Sequence, residues 1–146
     1  MLLPTPFHAF DRKAKTRPDL PFVMAPASAG LPYAPEGFSY TYGAAAEQIA
    51  ALRAGYAAAG YGHGSRVALI LQNRPEFLFH WLALNALGAS IVPVNADMRP
   101  DELRYRMEKS QAELMVALPE FDALVLAGCP EDMPRSHPGA AIPPAK

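Results

Sequence analysis

Apolar residues recur along the middle of the chain with two periods, and the alternation between them predicts the elements. Phe38-Ser-Tyr-Thr41 carries the short apolar–polar alternation of a strand. Ala45, Ile49, Leu52, Tyr56 and Ala59 then follow at spacings of four, three, four and three, the stripe of a helix. Gly60 or Gly62 is its stop. Arg66-Val-Ala-Leu-Ile-Leu71 is a continuous apolar run, expected of a strand covered on both faces.

Asn73-Arg-Pro75-Glu76 opens the next helix, with Asn73 as the capping residue, a proline in the first turn and an acid near the positive end of the dipole. Phe77, Leu78, Trp81, Leu82, Leu84 and Leu87 cover nearly all its sides, so it is expected to be deeply buried, and Gly88 ends it. Ser90-Ile-Val-Pro-Val94 is a further strand. Arg99-Pro100-Asp101-Glu102 starts a third helix with Leu103 and Met107 on one face, and Glu113-Leu-Met-Val-Ala117 is a last strand. Strands alternating with helices through short links imply right-handed crossovers. The predicted fold class is α/β, a parallel sheet flanked by helices.

Proline marks the predicted boundaries. Of 16 prolines, seven lie in residues 1–35 and five in residues 130–146. Because proline disfavours helix and sheet interiors, residues 1–37 read as an irregular arm, 38–127 as the compact part, and 128–146 as a proline-rich linker or tail. No internal repeat is visible.

Composition narrows the function classes. The chain has 146 residues, enough for one domain or a piece of a larger one, and 51% hydrophobic residues, which argues against general disorder. A net charge of −1 is no footprint for nucleic acid or an anionic membrane. The apolar run Phe77–Leu87 is broken by His80 and Asn85 and is far short of the ~20 residues of a membrane span. The first residues lack a basic start and apolar run, so no secretory signal is read and the expected location is cytoplasmic. The single cysteine, Cys129, has no disulfide partner and no local feature to lower its pKa, and reads as inert.

Candidate chemistry is sparse. Gly60-Tyr-Gly62-His-Gly64 suggests a phosphate loop, but such a loop leads from a strand into a helix, and here a helix ends and a strand begins. No lysine follows a glycine turn. His8, His63, His80 and His137 are scattered without metal-ligand spacing, and His80, inside an apolar helix, reads as a hydrogen-bonded core histidine. The acid pairs Asp101-Glu102 and Glu131-Asp132 fit a helix start and a solvated linker. The aromatics Phe22, Tyr33, Phe38, Tyr40 and Tyr42 have no interleaved basic run.

Four segments in register carry a resemblance. Phe38-Ser-Tyr-Thr-Tyr-Gly-Ala-Ala-Ala-Glu-Gln-Ile49 resembles the opening of the AMP-forming acyl-CoA synthetases, the adenylate-forming ligase superfamily. Gly64-Ser-Arg-Val-Ala-Leu-Ile-Leu-Gln-Asn-Arg-Pro-Glu-Phe77 is similar to that family's G-D-R-V-A-L-x-x-x-N-x-P-E-F segment, and Trp81 through Asn95 follows at the family's distance. Arg99 through Ser110 resembles its next helix, and Leu114-Met-Val-Ala117 the strand after it. Phe79-His-Trp-Leu-Ala-Leu-Asn-Ala-Leu-Gly88 is most similar to bacterial ligases of the fatty-acid and carnitine-CoA-ligase type. One departure is Ala44, where relatives often carry Glu.

The resemblance implies a two-step reaction in which a carboxylate joins the α-phosphate of ATP, pyrophosphate leaves, and the thiol of coenzyme A attacks the acyl-adenylate. In the family, ATP, Mg²⁺ and CoA are required; none is expected to be bound by this chain alone, because the Ser/Thr/Gly phosphate loop and the later catalytic segments are not in it. No catalytic residue is carried over. The resemblance implies that Asn95 through Arg99, after the Val-Pro-Val strand, line the CoA channel and that Arg99 meets a phosphate; the alternative is that Asn95 and Arg99 only shape a loop and a helix start. The expected function is that of an N-terminal portion of an acid–CoA ligase, inactive alone; a non-catalytic interaction module and one half of a split ligase are the alternatives. The expected partner is the remainder of the ligase, in the same or a separate chain, or a second copy through an exposed apolar face.

Overall fold

The computed structural model describes residues 4–146. Its elements are α1 (Pro6–Thr16), β1 (Pro21–Pro26), β2 (Gly37–Thr41), α2 (Tyr42–Ala58), β3 (Arg66–Ile70), α3 (Pro75–Ala86), β4 (Ser90–Pro93), α4 (Pro100–Ser110), β5 (Leu114–Ala117), α5 (Asp122–Gly128) and β6 (Arg135–Ser136). β3 to β6 form one sheet in the order β4-β3-β5-β6 with all neighbours parallel. The α/β class is as expected, and three of the four predicted strands lie in this sheet.

The order of the strands places the helices. From β3 the chain moves one position to β4, then reverses past β3 to β5. Right-handed connections running in opposite directions put their helices on opposite faces. On one face Val67, Leu69, Leu71, Leu114 and Val116 meet α3 and, beyond it, α1 and α2. On the other, Ala68, Ile70, Met115 and Ala117 meet Leu103 and Met107 of α4 and Val125 of α5. Alternate residues of each strand thus serve two separate cores, which is why β3 and β5 are continuously apolar.

Local signals account for the helix starts. Thr41 Oγ1 accepts from Ala44 N–H at 3.1 Å and opens α2. With alanine at position 44 no side chain returns a bond to the cap, so half of a capping box suffices. Asn73 is not the cap of α3; Arg74 holds that position without a side-chain bond, and Pro75 with Glu76 sets the first turn. At α4, Glu102 accepts from the Arg99 N–H at 2.8 Å. Gly88 ends α3 at φ +73°, a conformation that costs glycine little, with a built Cβ only 3.0 Å from His63 Nδ1.

Three expectations are corrected. Residues 1–37 do not all form an irregular arm: α1 and β1 lie there, and Phe10 and Ala14 are buried in the first core. The prolines sit where they are tolerated, Pro6 in the first turn of α1 and Pro21 and Pro26 at the ends of β1. The strand Phe38–Thr41 does not head the parallel alternation; it belongs to an antiparallel β1–β2 ribbon. Residues 128–146 do not run free as a linker. β6 pairs with β5, Ile142 and Ala145 pack on the first core, and Ala145 N–H donates to Ala59 O at 2.8 Å. Proline density limits hydrogen-bond ladders, but not apolar packing.

Candidate functional site

The reversal of strand order creates a recess. The chain leaving β3 turns to one face of the sheet and the chain leaving β4 turns to the other, so the C-terminal ends of these neighbours part. In open parallel sheets this is the position where ligands bind. A cleft of about 580 Å³ opens there between the β3–α3 and β4–α4 loops. Leu69, Leu71, Phe77, Val94 and Met98 supply apolar wall, and Gln72, Asn73, Asn95, Asp97 and Arg106 supply polar groups.

Each loop is held by short-range chemistry. Gln72 stands at φ +55°, a left-handed conformation unusual for a residue with a side chain, and it turns the chain out of β3. Asn73 follows it, and its carbonyl accepts from Tyr33 Oη at 3.5 Å. The adjacent Arg74 lies over the Tyr33 ring, 4.2 Å from its centroid, and pairs with Glu120 at 2.6 Å. On the other loop Asn95 Oδ1 accepts from Asp97 N–H at 3.0 Å, a side-chain turn that fixes the loop. Arg106 Nη1 donates to the Pro93 carbonyl at 3.4 Å, tying α4 to the end of β4.

The two carried-over residues separate here. Asn95 lines the cleft while its Oδ1 holds the loop. Arg99 lies outside the lining, with its side chain 71% exposed and its guanidinium 3.2 Å from Asp101 and 3.9 Å from Glu102. Asp97 falls within the carried-over segment and lines the cleft, whereas Gln72 and Arg106 were missed as cleft residues and Asn73 was read only as a helix cap. The available signal was the rule that the loops after adjacent parallel strands face one crevice; which loops those are depends on strand order.

The recess can bind through amides, one carboxylate and one guanidinium, around an apolar floor. It brings together no nucleophile and base. Among the described residues no group of three or more His, Cys, Asp or Glu is placed to hold a metal ion.

Titratable groups elsewhere are structural. His80 is 3% exposed, and Tyr56 Oη lies 2.6 Å from its Nδ1. Burial pushes the imidazole down to about 4 and the phenol upward, so both stay neutral and share one hydrogen bond between the phenol oxygen and the ring nitrogen. Cys129 is 1% exposed, and burial raises its thiol pKa against the opposing pull of Arg135 and Arg104. Gly60 and Gly64 take positive φ in a turn from α2 into β3, with no helix to receive a phosphate. No helix among the described residues is long and apolar enough to cross a membrane.

Comparison with known proteins gives one consistent answer. The model of the AMP-binding enzyme family matches residues 10–142. A crotonobetaine/carnitine–CoA ligase of Citrobacter koseri is 37% identical over 82 residues, covering 56% of this chain and 16% of the relative. A ligase of the same name from Salmonella typhimurium is 42% identical over 62 residues, covering 42% of this chain and 12% of the relative. The chain thus spans less than a fifth of the length of these curated relatives.

Solved structures agree on the fold. A fatty acyl CoA synthetase of Mycobacterium tuberculosis aligns with TM-score 0.76 at 20% identity, over 92% of this chain and 26% of that one. An N-terminal subdomain of Klebsiella oxytoca NpsA aligns at 0.71 with 22% identity, over 92% and 31%. An O-succinylbenzoate coenzyme A synthetase of Bacillus subtilis, in complex with AMP, aligns at 0.70 with 17% identity, over 87% and 30%. With a family match across nearly all of the described residues and the fold of an N-terminal ligase subdomain, this chain belongs to the AMP-binding enzyme family.

Proposed function

We propose that this chain is the N-terminal portion of an ATP-dependent acid–CoA ligase, which converts a carboxylate, ATP and CoA to acyl-CoA, AMP and pyrophosphate, and that the chain alone catalyses neither half-reaction. The observation that carries the reading is the family match through residues 10–142, in a chain that spans only 12–16% of its curated relatives. The cleft supports it, since its polar groups suit binding and its lining holds no nucleophile beside a base. In this reading Asn95 lines the passage taken by CoA, and the exposed Arg99 is the cation offered to a phosphate at its rim.

The test is a pair of ATP–pyrophosphate exchange assays. The purified chain is expected to give no exchange with fatty acids, crotonobetaine or carnitine. A chimera in which this chain replaces the matching segment of the Citrobacter koseri ligase is expected to restore exchange and thioester formation. Exchange by the chain alone, or a folded chimera without activity, overturns the proposal. In an active chimera, Asn95→Ala and Arg99→Ala are expected to raise KM for CoA and leave KM for the acid unchanged.

A further inference from the structure

We propose that the outward face of α4 is a self-association surface, which joins two copies of this chain with their α4 helices antiparallel across a two-fold axis beside Tyr105. The helix buries Leu103 and Met107, and Tyr105 points away from them at 63% exposure, the largest exposed aromatic of the described residues. Beside it runs an open groove of about 670 Å³, lined by Val92, Met98, Glu102, Tyr105 and Lys109.

The order of charge along this face selects the partner. Asp101 and Glu102 stand at its N-terminal end, Tyr105 in the middle and Lys109 at its C-terminal end. Glu102 and Lys109 are seven residues apart, so they fall on one stripe, about 10 Å from one another. A two-fold axis through the midpoint of that stripe exchanges them. Each Lys109 then meets the Glu102 of the other copy, and the two tyrosine rings approach at the centre. A parallel arrangement would set acid on acid. Lys109 is free for this: its ammonium lies 5.7 Å from the Tyr105 ring centroid, and among the described residues no carboxylate comes within ion-pair distance of it.

The neighbouring strand argues against a different mode of docking. β4 is an edge strand, and an added strand would bond to its outer side. Ser90 and Val94 donate inward to Ser65 O and Leu69 O, which turns Ile91 and Pro93 outward. Pro93 has no N–H, and its carbonyl already accepts from Arg106. Strand addition is thus blocked at the Pro93 end of this edge, where α4 leans across it, and the helix face offers the alternative. One helix pair buries little area, so the dimer is weak and concentration-dependent.

Sedimentation equilibrium of the 146-residue chain is the test. The wild type is expected to dimerise, less at high salt. Tyr105→Glu and Lys109→Glu are each expected to weaken dimerisation at least tenfold, with far-UV circular dichroism unchanged. Lys109→Glu and Glu102→Lys chains are each expected to be monomeric alone and to pair when mixed, because the mixture restores opposite charges at both contacts. Since Glu102 also caps α4, a second measurement avoids that residue. Tyr105→Cys is expected to oxidise to a disulfide dimer at least tenfold faster than Leu126→Cys on α5. A wild-type chain that stays monomeric, a dimer that survives Tyr105→Glu, or equal oxidation of the two cysteine variants overturns the proposal.

Discussion

Helices α3 and α4 begin alike and end in different surroundings. Each opens on Arg-Pro followed by acid, Arg74-Pro75-Glu76 in one and Arg99-Pro100-Asp101-Glu102 in the other, and each links two parallel strands. Yet no residue of α3 is exposed, whereas α4 buries only Leu103 and Met107. The start signal is set by the dipole and the missing proline N–H, which are local. Burial is set by what lies outside the helix. α1 and α2 cover α3 as a third layer, whereas α4 has α5 beside it and its outward face exposed.

The sharpest way to break this comparison is to cut into α3. Phe79 is buried, with its ring edge-on to Tyr40 at a centroid distance of 5.0 Å. Phe79→Ala is expected to cost about 3–5 kcal/mol in chemical denaturation, through lost transfer energy and the cavity left behind. The same truncation of Tyr105 on α4, measured on dilute monomer, should change stability by less than about 0.5 kcal/mol. Comparable costs for the two would mean that the two helices are not differently layered.

A smaller effect than the cavity follows from His80. In the unfolded chain this imidazole takes a proton below about 6.5, while in the folded chain it does so only below about 4. The unfolded state therefore binds more protons between these values, and stability falls as the pH drops through that window. The loss approaches about 3 kcal/mol at the acid end. Urea titrations from pH 7 to pH 4 should show this slope, and a paired Tyr56→Phe/His80→Leu chain should flatten it. Near α2 the expected change is smaller again: Thr41→Ala removes the side-chain acceptor for Ala44 N–H and should cost about 1 kcal/mol, read as a shift of the urea midpoint.

How much of this was legible follows from the same contrast. β3, β4 and β5 and helices α3 and α4 were readable because their apolar patterns are set within a dozen residues. The pairing of β2 with β1 was not, since an alternating strand suits either kind of sheet and its partner lies in the proline-rich arm. Counting prolines hid α1, although Thr5 and Pro6 together form a start signal like those read elsewhere. The cleft was half legible. Asn95 was reached through family resemblance, but Gln72 and Arg106 enter it only because β4 lies beside β3 and α4 leans across the end of β4. No residue pattern announces the left-handed backbone of Gln72.

The central place of β3 has a consequence for synthesis. Of the four parallel strands it leaves the ribosome first, and it ends up between the next two to emerge. β4 can pair on one side of it and β5 on the other without any earlier strand being displaced, and β6 then adds to β5. Sheet growth can thus follow the direction of translation, with each new strand meeting an edge that is already in place. A nascent chain stalled once β4 has cleared the exit tunnel should already protect β3 from protease.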